Sequence, residues 1–552
     1  MEDTSARMGK KRWMEAGGAL TVLGLAVLGL AWAGPAAQHA LADPLHPPSA
    51  GHLLALHPPG TSAMTPERIS TERLPPEHLP PNTLWAADPA LEKTLAKALN
   101  RHFPRGRVGL VVRAADSGRV LARLRDQDAF IPASNAKLIT TYGALNILGP
   151  DARWETRFRL VRPQNGPGGG GGQALLVTGE GDPTLDYPAL VEIAHQLKAK
   201  GVTRLEGFRL DAGRFAPLGP AQGWGQTAGD QPWFAPIHPF ILDGNIGSFQ
   251  VTLPGDWVQH PESVRVTATR LSPPLVFIPH FAPSDGKPSY LAATQGTGPE
   301  GLTFHLNGRV PQQNGSFRVE NALVDPAAYF ALSLAAALTV EGVEVNPRMA
   351  PADGSEKFLG LEVTHRSPPL RQVVAFINKE SNNLGAETLL RRMGQDPQGR
   401  QTPERGLEAL ERWLKAAFPG QAGGTVLVDG SGLDRGSITT PELLGALLLK
   451  VWGDTSLQPE FLASLPLAGW DGTLAQRGFP QALEGKVRAK TGTLKGVCNL
   501  SGYLHLERQA VVFSFLVNDD PRNYLDCQQA QDAVTTELYG ELLKMERAGN
   551  LR

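Results

Sequence analysis

The sequence predicts a multi-domain α/β fold in which one helix-and-strand domain is interrupted by a mostly β insert. Three observations carry that expectation. At 552 residues the chain exceeds what a single hydrophobic core usually serves. Helical and strand patterns alternate over residues 86–162 and again over 323–546. Between them, residues 163–322 are rich in proline and glycine and hold short strand-like runs such as "ALLVTG", "SFQVTLP" and "LTFHLNGRV", with few long helical patterns.

Each element follows from local chemistry. Lys10, Lys11 and Arg12 precede the apolar run "ALTVLGLAVLGLAWAG", and "ALA" at 40–42 ends in small residues before Asp43. Residues 1–42 therefore read as a secretory signal peptide, or as a membrane anchor if the run is retained, since a span needs about 20 apolar residues. Export to the periplasm or cell envelope follows either way, with membrane association in the second case. Residues 43–85 form a Pro-rich linker, marked by pairs such as Pro58-Pro59 and Pro80-Pro81.

The folded part opens with the helical pattern "ADPALEKTLAKALNRHF", followed by a hairpin, "RVGLVVRAADSGRVLARLRD", turning at Asp116-Ser117-Gly118. An amphipathic helix starts near Pro132–Ser134, carries Leu138, Tyr142, Leu145 and Leu148 on one face, and stops at Gly149-Pro150. The loop "PQNGPGGGGG" satisfies Gly-x-Gly-x-x-Gly trivially, and a strand follows where a dinucleotide site needs a helix. Helices return at "PAAYFALSLAAALTVEG". The chain closes with the strands "CNLSGYLHLE" and "QAVVFSFLVN" and a helix from about residue 524.

Composition narrows the function classes. With 53 basic and 54 acidic side chains, net charge −1, and no basic run interleaved with aromatics, a nucleic-acid surface is not expected. The 13 histidines show no ligand spacing, so neither metal nor other cofactor is implied. Cys498 and Cys527 are no disulfide framework and read as two separate buried thiols. In the insert, Trp224, Trp233 and Phe234 suit either a binding surface or the core, with core the preferred reading.

The chemistry concentrates elsewhere. Ser134 and Lys137, three residues apart at the first turn of a helix, share a face and lie within reach of one another. A serine hydroxyl needs a base, and a lysine serves only when its pKa is lowered. The ordinary alternative makes Ser134 an N-cap and Lys137 a solvated charge. Further along, Ser381-Asn382-Asn383 sits between the helical patterns "LRQVVAFINK" and "LGAETLLRRM". Lys490-Thr491-Gly492-Thr493 ends one β run and precedes another. Alone, each of these is a common loop, cap or turn.

Their order is informative. Ser-x-x-Lys, then Ser-x-Asn, then Lys-Thr-Gly is the arrangement of penicillin-binding proteins and serine β-lactamases. With "PASNAKLIT", "GEGDPTL", "ESNNLGAE", "DGSGLDR" and "KTGTL" in order over roughly residues 90–545, the chain resembles the D-alanyl-D-alanine carboxypeptidase/endopeptidase family, the class C low-molecular-mass penicillin-binding proteins. The resemblance implies a penicillin-binding-protein/β-lactamase-like domain over 86–162 and 323–546, interrupted by the insert. It implies a serine peptidase acting on peptidoglycan stem peptides and inhibited by β-lactams. Ser134 is then the nucleophile, Lys137 its base with a pKa lowered by Lys490 and by burial, and Ser381 a proton relay. Asn383 holds Lys137 and the substrate amide, while Lys490 and Thr491 bind the terminal carboxylate. The backbone N–H groups of Ser134 and Thr493 supply the oxyanion hole, with the strand around Gly492 as a peptide edge. Arg435 meets the diamino acid of the stem peptide or makes a structural salt bridge. Asp434 departs from the family, which more often has serine there. Two rivals remain: a serine β-lactamase, and a non-catalytic cell-wall-binding scaffold of the same fold.

Overall fold

A computed structural model describes residues 88–166, 170–221, 223–224, 231–269, 275–285, 289–298 and 301–551. The expected signal or anchor and the whole of the Pro-rich linker lie outside these residues.

The two ends of the chain build one sheet. Helix α1 (Pro89–His102) starts where the Asp88 carboxylate accepts the N–H groups of Ala90 and Leu91. Strands β1 (Arg107–Ala114) and β2 (Val120–Leu124) form the expected hairpin. After a 3-10 turn at Ala133–Asn135 comes α2 (Ala136–Leu148). Far along the chain follow α3 (Leu370–Lys379), α4 (Asn383–Met393), α5 (Pro403–Ala417) and α6 (Pro441–Gly453). Strands β3 (Val487–Leu494), β4 (Val497–His505) and β5 (Ala510–Asn518) and helix α7 (Tyr524–Arg547) complete the body. The sheet order is β3-β4-β5-β1-β2, antiparallel throughout, with Leu110 opposite Phe515 where the ends meet.

Helices cover both faces of this sheet. Leu91, Leu95 and Leu99 of α1 and Leu538 and Leu542 of α7 pack with Phe513 and Phe515. On the other face, Leu138, Val374, Leu389, Leu410 and Leu444 gather over Val512 and Leu516. Burial on both faces is why the β5 sequence, AVVFSFLVN, reads as a nearly continuous apolar run rather than an alternating one.

Helix α2 departs from expectation. It is not amphipathic in place: every residue from Ala136 to Leu145 is buried, Lys137, Thr140 and Thr141 included. It runs through the middle of the helical layer, against α3, α4, α5 and α6, and a helix enclosed on all sides has no solvent face. Lys490-Thr491-Gly492-Thr493 closes strand β3, which ends at Leu494, and β4 follows from Val497.

A second core spans Phe158 to Val363. Its main sheet runs Met349–Pro351, Phe208–Asp211, Ala174–Thr178, Glu155–Arg162 and Lys357–Arg366, covered by helices Tyr187–Ala199 and Pro326–Val340. The expected limits of 163 and 322 therefore fall inside this body, and it is α/β rather than mostly β in that layer. The cause is packing: Phe158 stacks on Phe330 and pulls its strand and helix into this core. Two three-stranded sheets, 246–253 with 265–268 and 315–322, and 275–284 with 289–298 and 301–311, make the remainder β-rich. Cys498 and Cys527 are two buried free thiols, as expected.

Candidate active site

The nucleophile turn is fitted between two close backbone approaches. A Cβ on Gly432, which has φ +75°, would lie 1.9 Å from the Ala133 carbonyl oxygen, and one on Gly492 would lie 2.7 Å from that of Pro132. Only glycine lets the loop at 429–432 and the strand β3 press against this turn from two sides. Ala133, immediately before Ser134, has φ +46°. The serine is no helix cap, since neither the 3-10 turn nor α2 has a side-chain cap bond.

Lys137 is wholly enclosed, at 0% exposure, which excludes the solvated-charge alternative. Its Nζ lies 3.0 Å from Ser134 Oγ, 2.7 Å from Asn383 Oδ1 and 2.7 Å from the Ser431 carbonyl oxygen. The latter two atoms can only accept. A neutral amine therefore spends its two N–H groups on them and points its lone pair at the serine hydroxyl. Burial lowers the Lys137 pKa from 10.5 to about 7, against the opposing pull of Asp429 and Glu387.

Lys490 is also enclosed, and its Nζ donates to Ser381 Oγ at 2.9 Å and to the Thr491 carbonyl at 3.0 Å. Burial and then the charge of Lys137 hold its pKa well below the ordinary value. Burial is the largest cause for both amines, and the repulsion between two neighbouring ammonium groups belongs to the pair. Ser381 has φ +53° and ends the turn between α3 and α4, where Asn382 caps α4 by accepting the Gly385 N–H at 2.6 Å. Asn383, the first residue of α4, points Oδ1 at Lys137 and donates from Nδ2 to the Trp233 carbonyl at 3.0 Å. The three sequence segments therefore meet through Lys137–Asn383 and Lys490–Ser381.

Strand β3 is the edge of the sheet. Its first half is covered, with Ala468 N–H on the Val487 carbonyl and Ala489 N–H on that of Pro466. By strand alternation the backbone groups of Thr491 and Thr493 face the same side, beyond the covered part. Thr493 is exposed there, while the buried Thr491 hydroxyl pairs with that of Thr473 at 2.8 Å. Arg435 donates to the Lys495 carbonyl at 2.9 Å, so its partner is a backbone oxygen and not the carboxylate of a salt bridge. Asp434 accepts the Gly436 N–H at 2.7 Å, and its carboxylate presses on Gly223 of the middle body.

Sequence reasoning overlooked the layer beneath. Asp429 accepts from Trp224 Nε1, the Ser431 hydroxyl, and the N–H groups of Gly432 and Asp434. Glu387 Oε1 accepts from the N–H groups of Gly430 and Ser431, both at 2.9 Å. Burial, then Asp429, raises the Glu387 pKa from 4.5 to about 8. Both acids lie in motifs already singled out, and Glu387 follows Asn383 by four residues on the same helix face, a usable signal. Of the three aromatics, Trp224 is core and Phe234 packs against it, but Trp233 is 45% exposed beside Asn383. Among the described residues, no three His, Cys, Asp or Glu side chains gather as a metal site would require.

Comparison with known proteins gives a consistent picture. A model of the D-Ala-D-Ala carboxypeptidase 3 (S13) family matches residues 91–538. A D-alanyl-D-alanine carboxypeptidase of Actinomadura sp. (strain R39) is 30% identical over 456 residues, 78% of this chain and 79% of that protein. The crystal structure of penicillin binding protein 4 (dacB) from Haemophilus influenzae has the same fold, with TM-score 0.67 at 23% identity, covering 81% of this chain and 99% of that one. The same protein complexed with a β-lactam gives 0.63 at 22%, covering 82% and 99%.

Proposed function

We propose a function from one premise: the chain belongs to the D-Ala-D-Ala carboxypeptidase 3 (S13) family. It is a serine-type D-Ala-D-Ala carboxypeptidase/endopeptidase that acts on peptidoglycan stem peptides through a Ser134 acyl-enzyme and is inhibited by penicillin. The observation that carries this reading is the lone-pair geometry of Lys137, a buried amine with its pKa lowered to about 7, whose one hydroxyl partner among the described residues is Ser134.

The reaction can be followed proton by proton. Lys137 takes the hydroxyl proton as Ser134 Oγ bonds to the carbonyl carbon of the penultimate D-alanine. Negative charge on the carbonyl oxygen meets the N–H groups of Ser134 and Thr493, each such donor worth about 3 kcal/mol of barrier. When the C–N bond breaks, the proton passes by way of Ser381 to the leaving nitrogen. Lys490, with Thr491, binds the terminal carboxylate, and that carboxylate restores the charge that burial discourages on the amine. Gly492 lets the strand lie against the nucleophile turn, and the open edge at Thr493 pairs with the extended peptide. Water then hydrolyses the ester. Arg435, with guanidinium donors beyond the one on Lys495, suits a carboxylate of the diamino acid. The Haemophilus relative complexed with a β-lactam supports the same class of inhibitor here. The basic and apolar start of the sequence supports export to the periplasm or cell envelope.

The test is covalent. Incubation with a labelled penicillin should leave a long-lived adduct on Ser134, lost in Ser134→Ala. Rapid turnover of the antibiotic would make the protein a β-lactamase, and no adduct would make it a scaffold.

A further inference from the structure

The catalytic lysine has an acid beneath it that the mechanism above does not use. Glu387 is 1% exposed. Its Oε1 holds two successive N–H groups, Gly430 and Ser431, and the carbonyl of that same Ser431 receives an N–H of Lys137. One residue thus fixes the peptide that orients the base, and its charge acts on the base across that peptide. The groups facing it are few: Lys137 from α2, Asp429 from the loop, and Arg391 one turn along its own helix. Arg391 is influenced in turn by Glu404 of α5, and Lys490 faces Lys137 from β3. Asp429 already has donors from Trp224, Ser431, Gly432 and Asp434. Glu387 is therefore the acid left to compete with Lys137 for a proton.

We propose that Glu387 is a positioning residue for this reaction: it competes with Lys137 for one buried proton and holds the peptide that carries the Ser431 carbonyl, setting the pH at which the amine becomes a base. When the proton rests on Glu387 the amine is free to attack the serine O–H. When it rests on Lys137, the carboxylate across the Ser431 peptide keeps it there. The two groups then titrate as a pair rather than singly. This rests on Lys137 being the base.

The experiment is the pH profile of acylation by a chromogenic β-lactam, for the parent and for Glu387→Gln, which keeps the Oε1 acceptor and removes the titrating proton. In the parent the rise spans both groups. In E387Q it should be a single step whose midpoint lies about one pH unit lower. Glu387→Ala, which also frees the peptide, should lower the maximal acylation rate as well, about tenfold or more. An E387Q profile superimposing on the parent's overturns the proposal. Should E387Q not fold, the parent labelled with 13C at its glutamate carboxyls decides: a resonance titrating near pH 8 is expected, and all glutamates titrating in the ordinary acid range overturns it. Lys137→Ala separates the two readings. If that variant acylates at the parent rate, the base assignment falls and this inference with it. If it is inert while E387Q matches the parent, only the inference falls.

Discussion

Replacing Lys137 with methionine should change how stability depends on pH in a way the structure makes calculable. The amine titrates at 10.5 in an unfolded chain and at about 7 in the fold. Below pH 7 both states carry the proton, and the folded state bears the whole cost of a buried cation, roughly 5 kcal/mol at about 1.4 kcal/mol per pH unit. Between pH 7 and 10.5 the unfolded state binds the extra proton, so raising the pH relieves the cost and favours folding. Lys137→Met has no such proton. It also leaves the half-buried Ser134 Oγ and Asn383 Oδ1 and the buried Ser431 carbonyl without their partner, a penalty of about 1–3 kcal/mol for the buried carbonyl and less for the other two. That penalty does not titrate at the lysine, so it cancels from the slope. Urea unfolding of parent and variant at pH 6, 7, 8 and 9 should show the parent gaining on the variant above pH 7, by at most about 1.4 kcal/mol per unit because Glu387 and Lys490 share the titration, and by little below it. A difference that stays flat from pH 7 to 9 would refute the claim that burial has brought this lysine near neutrality.

Two further substitutions probe the surroundings. Gly432→Ala puts a methyl 1.9 Å from the Ala133 carbonyl oxygen at a φ of +75°; by displacing the residue that precedes Ser134 it should slow acylation about a hundredfold, and a parent-like rate in a stopped-flow assay would show the turn tolerates the shift. Asn383→Asp sets a carboxylate 2.7 Å from Lys137 Nζ, so the acid limb of acylation should move up by about one pH unit or more, and a limb that stays in place would argue against this contact.

Local patterns suffice for some of this and not for the rest. The helix at Pro89, the hairpin at Asp116–Gly118 and the cap at Asn382 are legible because turn and cap chemistry acts over a few residues. Helix α2 misleads as an amphipathic pattern because its apparent polar face, Lys137, Thr140 and Thr141, is covered by elements hundreds of residues away: Thr140 donates to the Gly430 carbonyl and Thr141 lies near Asn378. The bounds of the middle body are hidden for the same reason, since Phe158 finds Phe330 only after folding.

The sequence by itself determined which groups are present and in what order: a hydroxyl and an amine one helical turn apart, a serine and an asparagine between two helices, and a lysine in a strand. The tertiary structure alone decided what those groups are chemically. Whether an amine at position 137 is a cation or a base depends on water being excluded from all its sides, and that exclusion is made by α3, α4, the 429–432 loop and β3 together. Proton affinity is a property of surroundings, and these surroundings are assembled from segments no local pattern connects.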